Sequence, residues 1–378
     1  MKILHTADWH LGKVMYGKSM IDDQDYFINN VLFKIIEKEL PDLILISGDI
    51  FDKKVAPVVA IRLFDKFITN INKKYNIPIA IIAGNHDSAD RLSLCADILK
   101  DKDIYISSYI DNCYTPIVFD NNSSRVNLYL LPYFEPAAIK EKFNVDIRGF
   151  NEAYKEVLDV IKRDINTNDF NILVSHCFVA GSTISSDEEA VYIGGSGEVN
   201  SNVFEMFDYV ALGHLHTSQK AGSNARYAGS PLAYSFDDKN FNKSITIIEV
   251  NGKDKNVRQV YINPLHEMKI IKGMFKDIID RAKTDFCDDY IYVILEDNSP
   301  VYMPMEQIRV YYPNILCLSN SNISNNLNNK DSKEINMCKK EQNMESIFKK
   351  FLYDICLPQN IESDLTVFNE LVKLAEED

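Results

Sequence analysis

The chain has 378 residues, of which 46% are hydrophobic, and its formal net charge at pH 7 is −14. No apolar run approaches the length of a membrane span, and an acidic chain is not expected to bind nucleic acid through a basic surface of its own. Bound divalent cations would reverse that charge locally. The seven cysteines are scattered without CxxC pairs, and the start of the sequence lacks a signal-peptide pattern, so we expect a cytoplasmic protein with reduced thiols.

Five apolar runs each end in polar residues that can bind metals. In chain order they are MKILHTADWH, DLILISGDIFD, IPIAIIAGNHD, NILVSHC and YVALGHLH. Such runs predict buried strands with a site just beyond their C-terminal ends. Apolar residues at helical spacing predict helices over Tyr26–Glu39 and Val58–Ile71, and the runs VNLYLLP, SITIIEV and VRQVYINP predict further strands. The pattern indicates an α/β domain with two packed sheets over residues 1–264.

Three smaller segments follow this domain. Residues 265–318 alternate strand, helix, strand, helix and strand, which predicts a small α+β domain. Residues 319–343 are rich in Asn, Ser and Lys and are predicted to be a flexible linker. Residues 344–378 carry apolar side chains at helical spacing and predict amphipathic helices. These helices either fold back on the chain or bind a partner.

The residues at the five strand ends form one candidate site. They are Asp8, His10, Asp49, Asn85, His86, His176, His214 and His216. Each is weak evidence alone, because turn aspartates and hydrogen-bonded structural histidines are common. Carboxylate, imidazole and amide groups without a thiolate together suit a pair of divalent first-row metals. His214 and His216 are two residues apart and, in an extended chain, point to the same side.

The spacing of these residues resembles that of the calcineurin-like metallophosphoesterases, whose motifs are D-x-H, G-D-x-x-D, G-N-H-D/E, H and G-H-x-H. In this chain the motifs are Asp8-Trp9-His10, Gly48-Asp49-Ile50-Phe51-Asp52, Gly84-Asn85-His86-Asp87, His176 and Gly213-His214-Leu215-His216. No motif position is substituted. The resemblance implies two divalent metal ions with Asp49 bridging them. It assigns Asp8, His10 and His216 to one ion, and Asn85, His176 and His214 to the other.

The resemblance also implies roles for residues beside the ligands. His86 is expected to be the catalytic general acid toward the leaving group. Asp87 is expected to support catalysis by orienting His86, and Asp52 either orients a metal ligand or caps a turn. We expect His5 to be a core histidine, His266 to lie on the surface and Trp9 to pack behind the site.

Longer stretches resemble the SbcD family of bacterial nuclease subunits. They are ILHTADWHLGK, DQDYF, IAGNHDSADRLS, SDEEAVYIGGSGEVNSNVFEMFDYVALGHLH and RYAGSPLAYSF. This resemblance implies a four-layer αββα sandwich, a capping domain over residues 265–318, and C-terminal helices at 344–378 that bind an SbcC-type coiled-coil ATPase. It further implies a manganese-dependent nuclease acting on duplex ends, hairpins and single-stranded DNA in repair and recombination. A homodimer would form through Val58–Ile71 and Arg91–Leu99, and the stretch GSPLAYSF, which begins at Gly229-Ser230-Pro231, would help to shape the DNA cleft.

Two other functions are compatible with the residues. One is a small-molecule phosphodiesterase of the same fold, which the capping domain and the amphipathic tail argue against. The other is a non-catalytic scaffold that tethers DNA, which has no use for seven metal ligands.

Overall fold

A computed structural model of the chain describes residues 1–121, 124–184, 197–236 and 242–322, together with Leu365, Val367 and Phe368. The strands in this part of the chain are β1 (Lys2–Thr6), β2 (Val14–Met15), β3 (Lys18–Ser19), β4 (Leu43–Ser47), β5 (Ile79–Ile82), β6 (Ile104–Ser107), β7 (Ile117–Asn121), β8 (Ser124–Leu131), β9 (Phe170–His176), β10 (Phe178–Val179), β11 (Glu198–Val199), β12 (Tyr209–Gly213), β13 (Gln219–Ala221), β14 (Ala225–Tyr227), β15 (Ser244–Asn251), β16 (Asp254–Tyr261), β17 (Met268–Gly273), β18 (Tyr290–Leu295) and β19 (Ile315–Asn320). The α-helices are α1 (Ile21–Tyr26), α2 (Phe33–Glu39), α3 (Val58–Asn70), α4 (Ala89–Leu92), α5 (Ala96–Lys100), α6 (Pro136–Phe143), α7 (Phe150–Asp164), α8 (Phe275–Ala282) and α9 (Pro304–Arg309).

The first large sheet has six strands in the order β16-β15-β1-β4-β5-β6. Strands β1, β4, β5 and β6 are parallel, whereas the hairpin β15–β16 adds to β1 in the antiparallel direction. Parallel strands β1, β4 and β5 place their C-terminal ends at one edge of the sheet. The first three predicted motifs therefore lie side by side.

The second large sheet has the order β13-β14-β12-β9-β8-β7. Strands β8, β9, β12 and β14 are parallel, and β7 and β13 are antiparallel edges. The ends of β9 and β12 bring His176 level with Gly213. The remaining two motifs thus lie together at the edge of this sheet.

The two sheets pack face to face, with helices on both outer faces. Apolar side chains such as Leu45 and Ile82 from the first sheet and Val174 and Ala211 from the second form the middle core. A separate core covers the outer face of each sheet, with α3 in one and α7 in the other. This arrangement is the predicted αββα sandwich. Both faces of each sheet are apolar, so each sheet is covered by the other sheet on one face and by helices on the other.

The helix predictions are close to the structure. Helix α1 passes through a π-helical turn over Phe27–Leu32 into α2, so the predicted helix starts earlier, at Ile21. Helix α3 covers the second prediction and continues as a π-helical turn over Ile71–Tyr75. Within the described residues, no helix is long and apolar enough to cross a membrane.

The C-terminal part follows the predicted order β17, α8, β18, α9 and β19, and its three strands form one sheet in the order β17-β18-β19. The described chain divides into two compact units. The first comprises Met1–Ile271, Phe286–Tyr292 and Arg309–Cys317, and the second comprises the other residues from Lys272 onward. The predicted linker 319–343 falls almost wholly outside the described residues, as do the helices predicted over 344–378 except for three residues.

Candidate metal centre

The five predicted motifs converge where the C-terminal edges of the two sheets meet. Backbone hydrogen bonds join the loop after β1 to the loop after β4, from Asp8 N–H to Gly48 O (3.1 Å) and from His10 N–H to Asp49 O (3.0 Å). Another hydrogen bond joins the two sheets, from His214 N–H to Asp8 Oδ1 (2.9 Å). These hydrogen bonds hold the ends of the strands together independently of any bound metal ion.

One group of side chains is built around His10. Its Nε2 atom lies 3.0 Å from Nε2 of His216 and 3.7 Å from Oδ2 of Asp49. Ligand atoms of His10, Asp49 and His86 lie within 4.8 Å of one another. His10 and Asp49 are almost fully buried.

A second group is built around His176. Its Nε2 atom lies 3.0 Å from Oδ1 of Asn85, 3.2 Å from Nδ1 of His214 and 3.4 Å from Oδ2 of Asp49. Ligand atoms of Asp49, His176 and His214 also lie within 4.8 Å of one another. Asp49 is thus a member of both groups, and all seven residues predicted as ligands lie in this one region.

The His176 ring has a defined orientation. Its Nδ1 atom donates to the carbonyl of Ser47 (2.8 Å), so in the neutral ring the lone pair is on Nε2. That atom faces Asn85 and His214. A hydrogen bond that fixes the tautomer of a histidine in this way is the usual support of a metal-ligating imidazole.

Two glycines allow the strand ends to approach this closely. A Cβ atom on Gly84 would lie 2.1 Å from Oδ1 of Asp49, and one on Gly213 would lie 1.9 Å from the carbonyl oxygen of Ser47. Both distances are far below van der Waals contact. The glycines that precede Asn85 and His214 are therefore required by packing.

Four of the predicted ligands have backbone conformations that are rare outside glycine. Asp8, His10, Asp49 and His214 have φ angles of 54°, 46°, 50° and 107°. Such conformations cost roughly 1–3 kcal/mol each and cluster at functional sites. The surrounding hydrogen bonds hold these residues in strained positions that aim their side chains inward.

Burial and neighbouring charges set the protonation of the histidines. Burial lowers the pKa of His10 and of His214 to about 3, which leaves both rings neutral, the form that binds metals. Burial alone would also lower the pKa of His176, but the carboxylate of Asp49 opposes it and the pKa rises to about 9. Burial alone would raise the pKa of Asp49, but His176 and His10 outweigh it and hold this pKa far below its usual range.

The donor set fits divalent metal ions. Ring nitrogens of His10 and His216 face each other at 3.0 Å, as do those of His176 and His214 at 3.2 Å. At most one proton can lie between two such nitrogens, whereas a cation can accept both lone pairs. Nitrogen and oxygen ligands without sulfur suit Mn²⁺, Fe²⁺ or Zn²⁺.

His86 and Asp87 make different contacts from those expected. Nδ1 of His86 donates to the carbonyl of Asp52 (2.8 Å), which fixes the ring and leaves Nε2 for proton exchange. The carboxylate of Asp87 instead accepts backbone N–H groups of Ile50, Phe51 and Gly84 (2.9–3.2 Å). Burial, followed by the charge of Asp49, raises the pKa of Asp87 to about 6. Asp87 thus connects the loops after β4 and β5, while the backbone of Asp52 orients His86.

The Asp52 side chain lies on the other side of His10. Its Oδ1 atom is 3.7 Å from Nδ1 of His10 and 3.3 Å from Nζ of Lys13. Of the two roles left open by the sequence, orienting a predicted ligand agrees better with this position.

The predictions for neighbouring residues had mixed outcomes. His5 is a buried core histidine bonded to Ser47, and Trp9 packs edge-on against Phe67, as expected. His266 is only partly exposed, and its Nδ1 atom pairs with the buried carboxylate of Asp23 (2.9 Å). Ser230 is buried, and its hydroxyl donates to Leu232 O. Ser230 therefore stabilises the turn of the GSPLAYSF stretch, whose Tyr234 ring lies beside His10.

Sequence reasoning missed Gln24 and Tyr234. Gln24 bonds the loop that carries His10, and the Tyr234 ring lies 5.7 Å from His10 and 5.9 Å from His216. Both residues lie in the stretches DQDYF and GSPLAYSF, which match the resembled family. Neither residue type is distinctive of metal chemistry, so only the family match marked them.

Comparisons with known proteins give the family of the chain. The calcineurin-like phosphoesterase family model matches residues 1–218, and the SbcD C-terminal model, described as the type 5 capsule protein repressor C-terminal domain, matches residues 264–354. The chain is 36% identical over 325 residues to the SbcD subunit of the nuclease SbcCD from Staphylococcus epidermidis, an alignment that covers 85% of each chain.

Two solved structures are more distant. A dimetal phosphatase from Danio rerio shares 13% identity and a TM-score of 0.39 over 70% of this chain and 99% of its own. A beta-glucosidase from Exiguobacterium marinum shares 10% identity and a TM-score of 0.21 over 84% and 88%. Likenesses at this level carry no weight for fold or function. The two family models and the nuclease relative are sufficient: this chain belongs to the calcineurin-like metallophosphoesterases and, within them, to the SbcD family, as a metal-dependent hydrolase of phosphoesters.

Proposed function

We propose that the chain is a manganese-dependent DNA nuclease that works with an SbcC-type ATPase in DNA end processing, repair and recombination. The observation that carries the proposal is the convergence of seven nitrogen and oxygen side chains, Asp49 among them, in a chain 36% identical to a protein named as part of a nuclease. Its substrates would be duplex ends, hairpins and single-stranded DNA. It would act in the cytoplasm.

The two ligand groups would hold two ions. Asp8, His10 and His216 would bind one ion, and Asn85, His176 and His214 the other. Asp49 would bridge them, which agrees with its membership of both groups. When bound, two such ions would activate a water molecule for attack on phosphorus and offset the charge that builds up on the phosphate.

His86 would complete the reaction as general acid. Its ring is held by the Asp52 carbonyl through Nδ1 and packs edge-on against His10 at 4.8 Å. A proton on Nε2 can then pass to the leaving sugar oxygen as the bond from that oxygen to phosphorus breaks. Asp87 would support this step indirectly, because it fixes the backbone of the Gly84–Asp87 turn.

The acidic charge of the chain is consistent with a complex in which the ATPase supplies much of the DNA-binding surface. The C-terminal helices predicted over 344–378 would bind that ATPase.

A homodimer would use the exposed apolar side chains near α3 and α5. Val58, Leu94 and Ile98 are between 61% and 73% exposed, and exposed apolar patches of this kind mark interfaces. Ile98→Glu should shift the chain from dimer to monomer in sedimentation velocity. Val118→Glu, at an exposed apolar residue on β7, should leave the dimer intact.

The decisive test is a nuclease assay with Mn²⁺ on linear duplex, hairpin and single-stranded DNA, with and without the cognate ATPase and ATP. Cleavage of DNA that EDTA abolishes is the expected result. Cleavage of a simple aryl phosphodiester with no cleavage of DNA in any arm would favour a small-molecule phosphodiesterase. A chain that binds no divalent ion and cuts no substrate would favour a scaffold.

A further inference from the structure

The loop after β1 is held on its two sides by different partners. On one side, the N–H groups of His10 and Leu11 donate to the carbonyls of Asp49 and Ile50 (3.0 and 2.8 Å). On the other side, the loop meets Gln24 of helix α1. This side chain is 1% exposed.

Gln24 uses both ends of its amide on the loop. Its Nε2 atom donates to His10 O (2.8 Å) and more distantly to Trp9 O (3.3 Å), and its Oε1 atom accepts Gly12 N–H (2.9 Å). The amide thus donates to one backbone carbonyl of the loop and accepts one backbone N–H, as an adjacent β-strand would. These bonds flank the strained φ of 46° at His10.

Neighbouring side chains fix Gln24 itself. The Tyr234 hydroxyl accepts from Nε2 of Gln24 (3.1 Å) and donates to Trp9 O. On the adjacent residue, the carboxylate of Asp23 accepts from the Tyr290 hydroxyl (2.6 Å) and pairs with Nδ1 of His266 (2.9 Å). The helix that carries Gln24 is therefore held through Asp23 as well.

We infer that Gln24 is a positioning residue for metal binding: its amide holds His10 in the strained conformation that the His10 ligand group requires. The inference rests on the proposed function, because it assigns Gln24 to one of the two proposed metal sites. Residues that orient a metal ligand in this way typically change metal affinity or activity by about 10- to 100-fold when removed.

Gln24→Met keeps the length of the side chain and removes both hydrogen-bonding ends. The matched control is Asn127→Leu, which removes a buried amide of β8 that bonds Asn171 and Asp169 at the opposite end of the second sheet. Both changes delete a buried amide and should lower the thermal midpoint. Only Gln24→Met should affect the metal site.

The experiment is calorimetric titration of Mn²⁺ into the full chain after removal of metals with EDTA. We expect the unaltered chain to bind two ions, and Gln24→Met to weaken one of them by about 10- to 100-fold while the other changes little. Nuclease activity of Gln24→Met should recover as Mn²⁺ is raised. Activity of Asn127→Leu should show the Mn²⁺ dependence of the unaltered chain.

The outcomes separate the two proposals. An unaltered chain that binds no Mn²⁺ contradicts the proposed function. An unaltered chain that binds two ions, with Gln24→Met binding both equally well or Asn127→Leu weakening one to the same degree, contradicts the role of Gln24 alone. If circular dichroism shows that Gln24→Met does not fold, the same titration is made with Tyr234→Phe, which removes the hydrogen bond between the Tyr234 hydroxyl and Gln24. Unchanged Mn²⁺ affinity in that variant would overturn the inference.

Discussion

The two ends of strand β9 are equally buried but are stabilised in opposite ways. At its start, the Nδ2 atom of Asn171 donates to the carbonyls of Asn166 and Asp169 (2.9 Å each), and its Oδ1 atom accepts from Asn127 (3.1 Å). At its end, His176 bonds Ser47 of the other sheet, and its Nε2 atom faces Asn85, from the loop after β5 of that sheet, and His214.

The difference distinguishes a structural polar network from a binding site. The amides around Asn171 satisfy one another within the second sheet. Lys253, from the turn between β15 and β16, offsets the nearby charge of Asp208 (2.6 Å). The groups around His176 come from both sheets and include the ring nitrogen of His214, which faces that of His176 at 3.2 Å. A buried arrangement of this kind is expected to be completed by a bound cation.

The largest effect should come from Asp49, which belongs to both ligand groups. Asp49→Ala should abolish detectable cleavage of DNA and detectable tight binding of Mn²⁺ by calorimetry. Asp208→Ala, which lies near the start of β9, should retain both DNA cleavage and Mn²⁺ binding. Cleavage that survives Asp49→Ala would contradict the distinction between the polar network at the start of β9 and the metal centre at its end.

Loss of the proposed general acid should be the next largest effect. His86→Ala should lower kcat by about 10²- to 10⁴-fold, the range of general acid catalysis, in single-turnover assays at saturating Mn²⁺. Calorimetry should still find two bound ions. Wild-type rates in this variant would exclude His86 as the acid.

Close packing at the site predicts a strong steric effect. Gly213→Ala places a Cβ atom 1.9 Å from Ser47 O, so we expect a loss of about 3 kcal/mol or more in the free energy of unfolding and weaker Mn²⁺ binding. Gly252→Ala is the control: its Cβ atom meets open space at φ 59°, and it should cost only about 1–2 kcal/mol. Urea denaturation compares the two, and equal losses would contradict the packing argument.

A change in the amide network at the start of β9 should alter stability without altering function. Asn127→Leu leaves Oδ1 of Asn171 without the donor that it now has, which should cost about 1–3 kcal/mol in urea denaturation. Mn²⁺ affinity should stay within error of the unaltered chain. A change in affinity would mean that the two ends of the sheet are energetically coupled.

The smallest effect should come from the loss of an ion pair near the start of β1. Arg258 bonds the carboxylate of Glu39 and thereby holds the pKa of Glu39 below its usual value. A lowered folded-state pKa stabilises the fold above the unfolded pKa of about 4.5, and this contribution is lost as the pH falls toward the folded value. Glu39→Gln should therefore cost about 1 kcal/mol at pH 7 and progressively less below about pH 4.5. A pH-independent loss would exclude the ion pair as its cause.

Much of the molecule could be predicted from sequence because its signals are local. Short apolar runs predicted β1, β4, β5, β9 and β12, and helical spacing predicted α2 and α3. Parallel strands bring their C-terminal ends to one edge, so the residues after them could be grouped into one candidate site. The family motifs then gave the expected ligands.

The tertiary structure decided what local signals do not contain. Asp87 was expected to orient His86, yet its carboxylate binds three backbone N–H groups while the Asp52 carbonyl holds His86. Gln24 has no chemical signature in sequence, since its importance comes from facing the loop of His10. The sequence alone determined which elements form and which residue types lie at their ends. The contacts between loops depend on how two sheets pack, because the partners that set side-chain orientations at that junction are distant in sequence, as Asp8 and His214 are at 206 residues apart.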